Sequence, residues 1–155
     1  MTMTRRDALV GLMALSGTLT ELPAAHADDG AQQQILGPTV FHWDEMKFKP
    51  NAVGAQAPLC KQPTATLDQL EMHVSKLEPG KMSHPPHRHV NEELIILREG
   101  SCETLSNGQW VKVEAGSVVF NASNSLHGFR NVGTTTAVYH VINWSPNKDM
   151  ATKKS

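Results

Sequence analysis

Cysteine is scarce in this chain: Cys60 and Cys102 are the only two among 155 residues. A miniprotein held together by disulfide staples is therefore excluded, although one bond between the pair is allowed in an oxidising compartment. Charge of one sign is also missing. The chain carries 14 Lys+Arg against 15 Asp+Glu, a net charge of -1, so there is no basic surplus to hold nucleic acid. There is no apolar run long enough to cross a bilayer; the longest, from Ala8 to Leu19, is about twelve residues. No repeat, coiled coil or phosphate loop occurs. With 39% hydrophobic and 19% charged residues the chain is neither a disordered polar polymer nor a membrane bundle. Its length is that of a single domain.

The N-terminus has the three parts of a bacterial export signal: the charged start Arg5-Arg6, the short apolar core, and the small residues of Ala25-His26-Ala27 before Asp28. The arginine pair behind Thr4, with Leu9 three residues after Arg6, is similar to a twin-arginine signal, except that Ala8 stands where an aromatic is usual. The alternative is an amphipathic helix docked on the domain. Cleavage after Ala27 leaves 128 residues with the net charge unchanged at -1. A periplasmic location is expected, with no membrane contact by the mature protein. The twin-arginine route carries folded proteins, which fits a cofactor loaded before export.

The chain's 11 Gly and 9 Pro favour strands and turns over long helices. Residues 28–64 are expected to be a leader with one strand, Val40 to Phe48, followed by a loop from Pro50 to Pro63. From 65 to 145 short strands recur at barrel-like spacing: Ala65–Leu77, Glu92–Leu97, Ser117–Phe120, Leu126–Val132 and Ala137–Trp144. Asn107-Gly108 between Glu103-Thr104-Leu105 and Trp110-Val111-Lys112-Val113 signals a two-residue hairpin. Residues 146–155 are a polar tail. In Ala65–Leu77 the apolar Leu67, Leu70, Met72, Val74 and Leu77 interleave with Asp68, Glu71, His73 and Lys76, which places His73 among the polar positions.

The chemistry is concentrated in Pro85-Pro86-His87-Arg88-His89-Val90-Asn91-Glu92-Glu93. On a strand His87 and His89 share a face, and Glu93, four further on, returns to it if the pleat is unbroken. Two imidazoles and a carboxylate suit one divalent ion, Mn, Fe, Ni or Zn. The alternative is an exposed histidine pair beside an acidic cluster.

At His127 the sequence resembles the cupin superfamily. Gly80, His87, His89, Glu93 and Gly100 match the residues of its first motif, with the gap from Gly80 to His87 one residue longer than usual. Gly116, His127 and Asn131 match the second, with Ala122 in place of a proline and Asn124 in place of a glycine; asparagine tolerates the left-handed backbone needed there. The likeness runs from Glu71 to Trp144. It implies an all-β fold, a double-stranded β-helix or jelly-roll barrel, and a metal held by His87, His89, Glu93 and His127. Four ligands leave about two open octahedral positions for water, substrate or dioxygen. The resemblance implies dioxygenase, oxalate-degrading, isomerase or lyase chemistry on a small molecule, with oxidative chemistry preferred. The alternative is a non-catalytic metal- or ligand-binding cupin. It also implies a homodimer paired through edge strands, with Phe41 to Phe48 as the candidate.

Around the ligands, parity turns Phe129 and Asn131 toward the cavity and Arg130 away from it, while Ile95 and Leu97 share the face of Glu93 and imply an apolar floor. The catalytic candidates are His84, an acid/base or ligand switch at the mouth, and whichever of Tyr139 and His140 points inward. Arg88 and Arg98 are candidates for holding a carboxylate. Trp43, Trp110 and Trp144 are expected to pack at the barrel edge or a dimer seam.

Overall fold

The strand expected after residue 65 forms as β3, Leu67–Leu77, and it is covered on both faces. The computed structural model describes residues 34–146; the expected export signal, residues 1–27, and the end of the expected tail lie outside them. Ahead of β3 come β1, Lys49–Asn51, and β2, Gly54–Gln62; after it come β4, Glu92–Glu99, β5, Ser101–Ser106, β6, Gln109–Glu114, β7, Val118–Asn121, β8, Phe129–Asn131, and β9, Ala137–Pro146. All pair antiparallel, in a six-stranded sheet ordered β1-β2-β3-β9-β4-β7 and a three-stranded sheet ordered β6-β5-β8. The core lies between them: Leu77, Ile95, Leu97, Val119 and Tyr139 come from the first sheet, Cys102 and Phe129 from the second. Leu77, Leu97 and Phe129 are almost completely buried, each contributing about 1.5–3 kcal/mol of apolar transfer. This is the jelly-roll barrel expected from the motifs.

Two N-terminal expectations are corrected. Val40 to Phe48 is not a strand; a short 3-10 turn, Trp43–Glu45, occupies it. Pro50 to Pro63 is not a loop, since it contains β1 and β2, so the sheet begins well before residue 65. The segment reads as irregular because it holds three prolines and three alanines. Each strand proline sits where a sheet tolerates it, Pro50 on the edge strand and Pro58 where the β2–β3 register slips before Cys60. The turn packs on the outer face of the six-stranded sheet. Trp43 lies 6.2 Å from the His140 ring and 3.5 Å beneath the Arg98 guanidinium, and Lys76 Nζ stands 4.0 Å over the Phe48 ring.

Local turn chemistry behaves as expected. Asn107 (φ 49°) and Gly108 (φ 78°) join β5 to β6 in the two-residue hairpin, and Asn124 adopts φ 59° in the turn before His127. Asn131, expected to face the cavity, is instead a buried lock: its Nδ2 donates to Leu77 O and Thr135 O, both at 2.8 Å, and its Oδ1 accepts from Gly133 N at 2.9 Å. A buried amide must spend its donors and acceptor, and the end of β3 offers one partner while the turn between β8 and β9 offers the other two. Cys60 and Cys102 are both free thiols, the former on β2 and the latter in the core.

Candidate metal centre

His87 and His89 do not lie on a regular strand, and the pleat between His89 and Glu93 is broken, because β4 begins only at Glu92. Loop hydrogen bonds bring the side chains together instead. His87 and His127 form an isolated antiparallel bridge. Asn124 N donates to His89 O at 2.8 Å, Arg88 Nη1 to Asn124 O at 2.6 Å and Ser123 Oγ to Val90 O at 2.7 Å. These contacts splice the loop before β4 onto the loop before β8.

The ligand atoms of His87, His89 and His127 lie within 4.8 Å of one another. Glu93 enters from β4, with carboxylate oxygens 3.9 Å from His89 Nε2 and 3.8 Å from His127 Nε2. The outer nitrogens are already tied: His89 Nδ1 to Asn91 O and His127 Nδ1 to Ser125 O, each at 2.9 Å. That arrangement sets the tautomer, leaving the Nε2 lone pairs directed inward. His127 is 3% exposed, and its Nε2 is a buried atom with no hydrogen-bond partner. A buried nitrogen in that state is costly unless something binds it. Burial, and then the neighbouring His84, His127 and His89 rings, pull His87 below its ordinary pKa, toward the neutral form that ligates a metal. Asn121 Nδ2 donates to Glu93 Oε1 at 2.9 Å and orients the carboxylate. The residues present fit a divalent ion.

Beside this cluster lies a cavity of about 150 Å³. Its lining includes the ligands His127 and Glu93, the apolar Ile95, Phe129 and Val141, and the polar His73, Ser75, Ser83, His84 and Tyr139. His84 thus lies at the cavity, its ring edge-on to His87 at 4.2 Å. Of the pair on β9, Tyr139 points inward and His140 outward against Trp43. Burial, aided by the Arg98 charge, holds His140 below its usual pKa. Burial pushes the Tyr139 phenol up to about 12, against the opposing effect of the nearby Ser75 and Ser83 side chains. Leu97 is buried in the core without lining the cavity, whereas Ile95 lines it. The arginines considered for a carboxylate are engaged elsewhere: Arg88 on Asn124, Arg98 on Trp43. Arg130 faces outward, bonded to Glu103 at 2.8 Å over the Trp110 ring.

His73 is the correction to the polar-face reading. It shares a face of β3 with Ser75 and Leu77, and that face lines the cavity. Burial lowers its pKa against the opposing pull of Glu71 and Glu93. The even offset from Leu77 is the signal that could have found it. It was outweighed because Met72 and Val74, on the other face, are also apolar, covered by the N-terminal segment.

Residues 73–143 match the family model described as Cupin domain. Among solved structures the chain is similar to KdgF from Halomonas sp., at 15% identity and TM-score 0.61, over 74% of this chain and 99% of that one. It is similar to a predicted oxalate decarboxylase from Thermotoga maritima, at 20% identity and TM-score 0.57, over 69% and 99%. The polyketide cyclase RemF from Streptomyces resistomycificus gives 21% and 0.57, over 70% and 80%. At these identities the likeness is one of fold. No curated protein matches the sequence. The family match over residues 73–143 and the two-sheet topology agree on one architecture: the described chain has the jelly-roll barrel fold of a cupin.

Proposed function

We propose that this protein is a metal-dependent enzyme that holds one divalent ion, Mn, Fe, Ni or Zn, on His87, His89, Glu93 and His127 and acts on a small organic molecule. Oxidative, dioxygenase-type chemistry is preferred over isomerisation or lyase chemistry. The observation that carries this reading is the buried, partnerless Nε2 of His127 among converging imidazoles at the end of a cavity with a polar wall. Four protein ligands leave open positions, where an ion supplies Lewis acidity and, for Mn or Fe, redox chemistry. The chain's own residues do the rest. The apolar Ile95, Phe129 and Val141 in the lining limit access of water, and neutral His73 accepts a substrate proton. The Tyr139 hydroxyl, kept protonated by burial, donates to a substrate oxygen.

A second reading, a cupin that binds a metal or ligand without turnover, predicts a closed and apolar pocket. The convergence of His73, His84 and Tyr139 at the cavity favours catalysis over it. The structural relatives named as a decarboxylase and a cyclase are consistent with an enzyme on this fold. Dioxygen uptake and product formation by Mn- and Fe-loaded protein across small hydroxy and keto substrates test the reading, and absence of turnover by every metal form overturns it.

Periplasmic export and a homodimer complete the proposal. Export is supported by the Arg5-Arg6 signal pattern and is checked by intact mass of periplasmic protein, expected to begin near Asp28. The dimer seam moves from Phe41–Phe48, which forms no strand, to the open edges β1 and β7. Light scattering is expected to give twice the mature mass.

A further inference from the structure

The polar side of the cavity is built from neutral hydrogen-bonding groups. Tyr139, its cross-strand partner Ser75, and Ser83 bring three hydroxyls to the lining, and His73 on the same strand face as Ser75 adds an imidazole. Ser83 Oγ also donates to Phe129 O at 3.2 Å. Ser83 spends its one proton there, so the hydroxyl donors left for a ligand's oxygens are those of Tyr139 and Ser75. Apolar surface is interleaved with these groups: Val141 pairs with both His73 and Ile95 across the six-stranded sheet, and Phe129 comes from the other sheet. Positive charge is directed elsewhere. Among the described residues all three arginines are engaged outside the cavity, and Lys76, whose strand lines it, sends its ammonium over Phe48. The one carboxylate facing the space is Glu93. An anion seated against this wall would lie in a half-apolar pocket near a like charge with no counter-ion. A cavity of about 150 Å³ matches a benzene-sized guest, about six non-hydrogen atoms.

We propose that His73, Ser75, Ser83 and Tyr139 form the substrate subsite, and that it takes a small uncharged hydroxycarbonyl compound, held by its oxygens against this wall with its carbon skeleton on Ile95, Phe129 and Val141. The inference deepens the enzymatic reading and rests on it for the reacting position, but the wall binds without the metal.

Acetoin, lactate and methyl isopropyl ketone are nearly isosteric and separate the terms: lactate adds charge, and the second ketone removes the hydroxyl. Titration by ligand-observed NMR uses the full chain, both metal-loaded and chelator-treated. In the chelator-treated protein, where lactate has no ion to ligate, acetoin is expected to bind about tenfold more tightly than either analogue. Tyr139→Phe and, as a second variant, Ser75→Ala are each expected to lose about tenfold in acetoin affinity, with metal content and circular dichroism unchanged. Lactate binding as tightly as acetoin without metal overturns the proposal, as do acetoin binding to neither form and both variants behaving as wild type. Failure to retain any metal, with acetoin still bound, overturns the metal reading and leaves the subsite standing.

Discussion

His87 and His127 exchange both of their backbone hydrogen bonds, at 3.0 and 3.1 Å, and carry their rings 4.5 Å apart. Residues paired in this way present their side chains on the same face, so a single two-residue bridge between loops aims imidazoles from both sequence motifs at one point. The convergence therefore depends on the loops as much as on the strands.

Metal content of ligand variants follows from this geometry. His89→Ala and His127→Ala are expected to lose metal affinity by orders of magnitude, because the remaining groups keep their desolvation cost without the chelate. Glu93→Gln should lower occupancy more than fold stability, and Asn121→Ala, which frees the Glu93 carboxylate, should cost about 10–100-fold in affinity. His84→Ala should keep about one ion per chain. Elemental analysis checks all five; full occupancy in the His89 and His127 variants with loss in His84→Ala would assign the ligands wrongly.

Tyr139 is the only tyrosine, so alkaline difference absorbance reads it alone. The native phenolate should appear with a midpoint near about 12, against about 10 in the unfolded chain. The folded state holds the proton more tightly, so stability is full below pH of about 10 and falls as pH rises through the folded value, by an amount on the order of 2–3 kcal/mol. A native midpoint near the unfolded one would contradict the buried placement.

The thiols should react in order. Cys102 is fully buried with its pKa pushed up to about 12, whereas Cys60 is half-buried on β2 with a smaller upward push from burial. Iodoacetamide is expected to label Cys60 first and Cys102 only on unfolding, because the thiolate is the reacting species. Peptide mapping gives the order, and equal rates would show a more open core.

Two glycines with positive φ should differ in their tolerance of alanine. At Gly108 (φ 78°) a Cβ meets nothing within 4 Å, so the cost is the backbone strain alone, about 1–2 kcal/mol. At Gly100 (φ 96°) the Cβ would lie 2.9 Å from Ala137 Cα, and the contact adds to the strain, for about 2–4 kcal/mol. Denaturant midpoints compare the pair directly; equal losses would mean that the β4–β5 turn can shift away from β9.

What could be read without coordinates was what neighbouring residues decide among themselves. The Asn107-Gly108 hairpin, the left-handed Asn124 and most strand positions after residue 65 follow from turn chemistry and period-two alternation, which act over a few residues. Motif spacing also named the four side chains that the fold gathers around one point. The remaining features were set by distant partners. Pro50 to Pro63 became strands because β3 offered a free edge. His73 turned inward because the N-terminal segment covered Met72 and Val74, making both faces of β3 apolar. Tyr139 rather than His140 faces the cavity because β9 pairs with β3 and β4 in a register that places it opposite Ser75 and Leu97. Asn131 closes a turn instead of lining the site because its three hydrogen-bond partners meet only in the folded chain. A one-residue change of phase inverts every side chain on a strand, and only long-range pairing energy selects the phase.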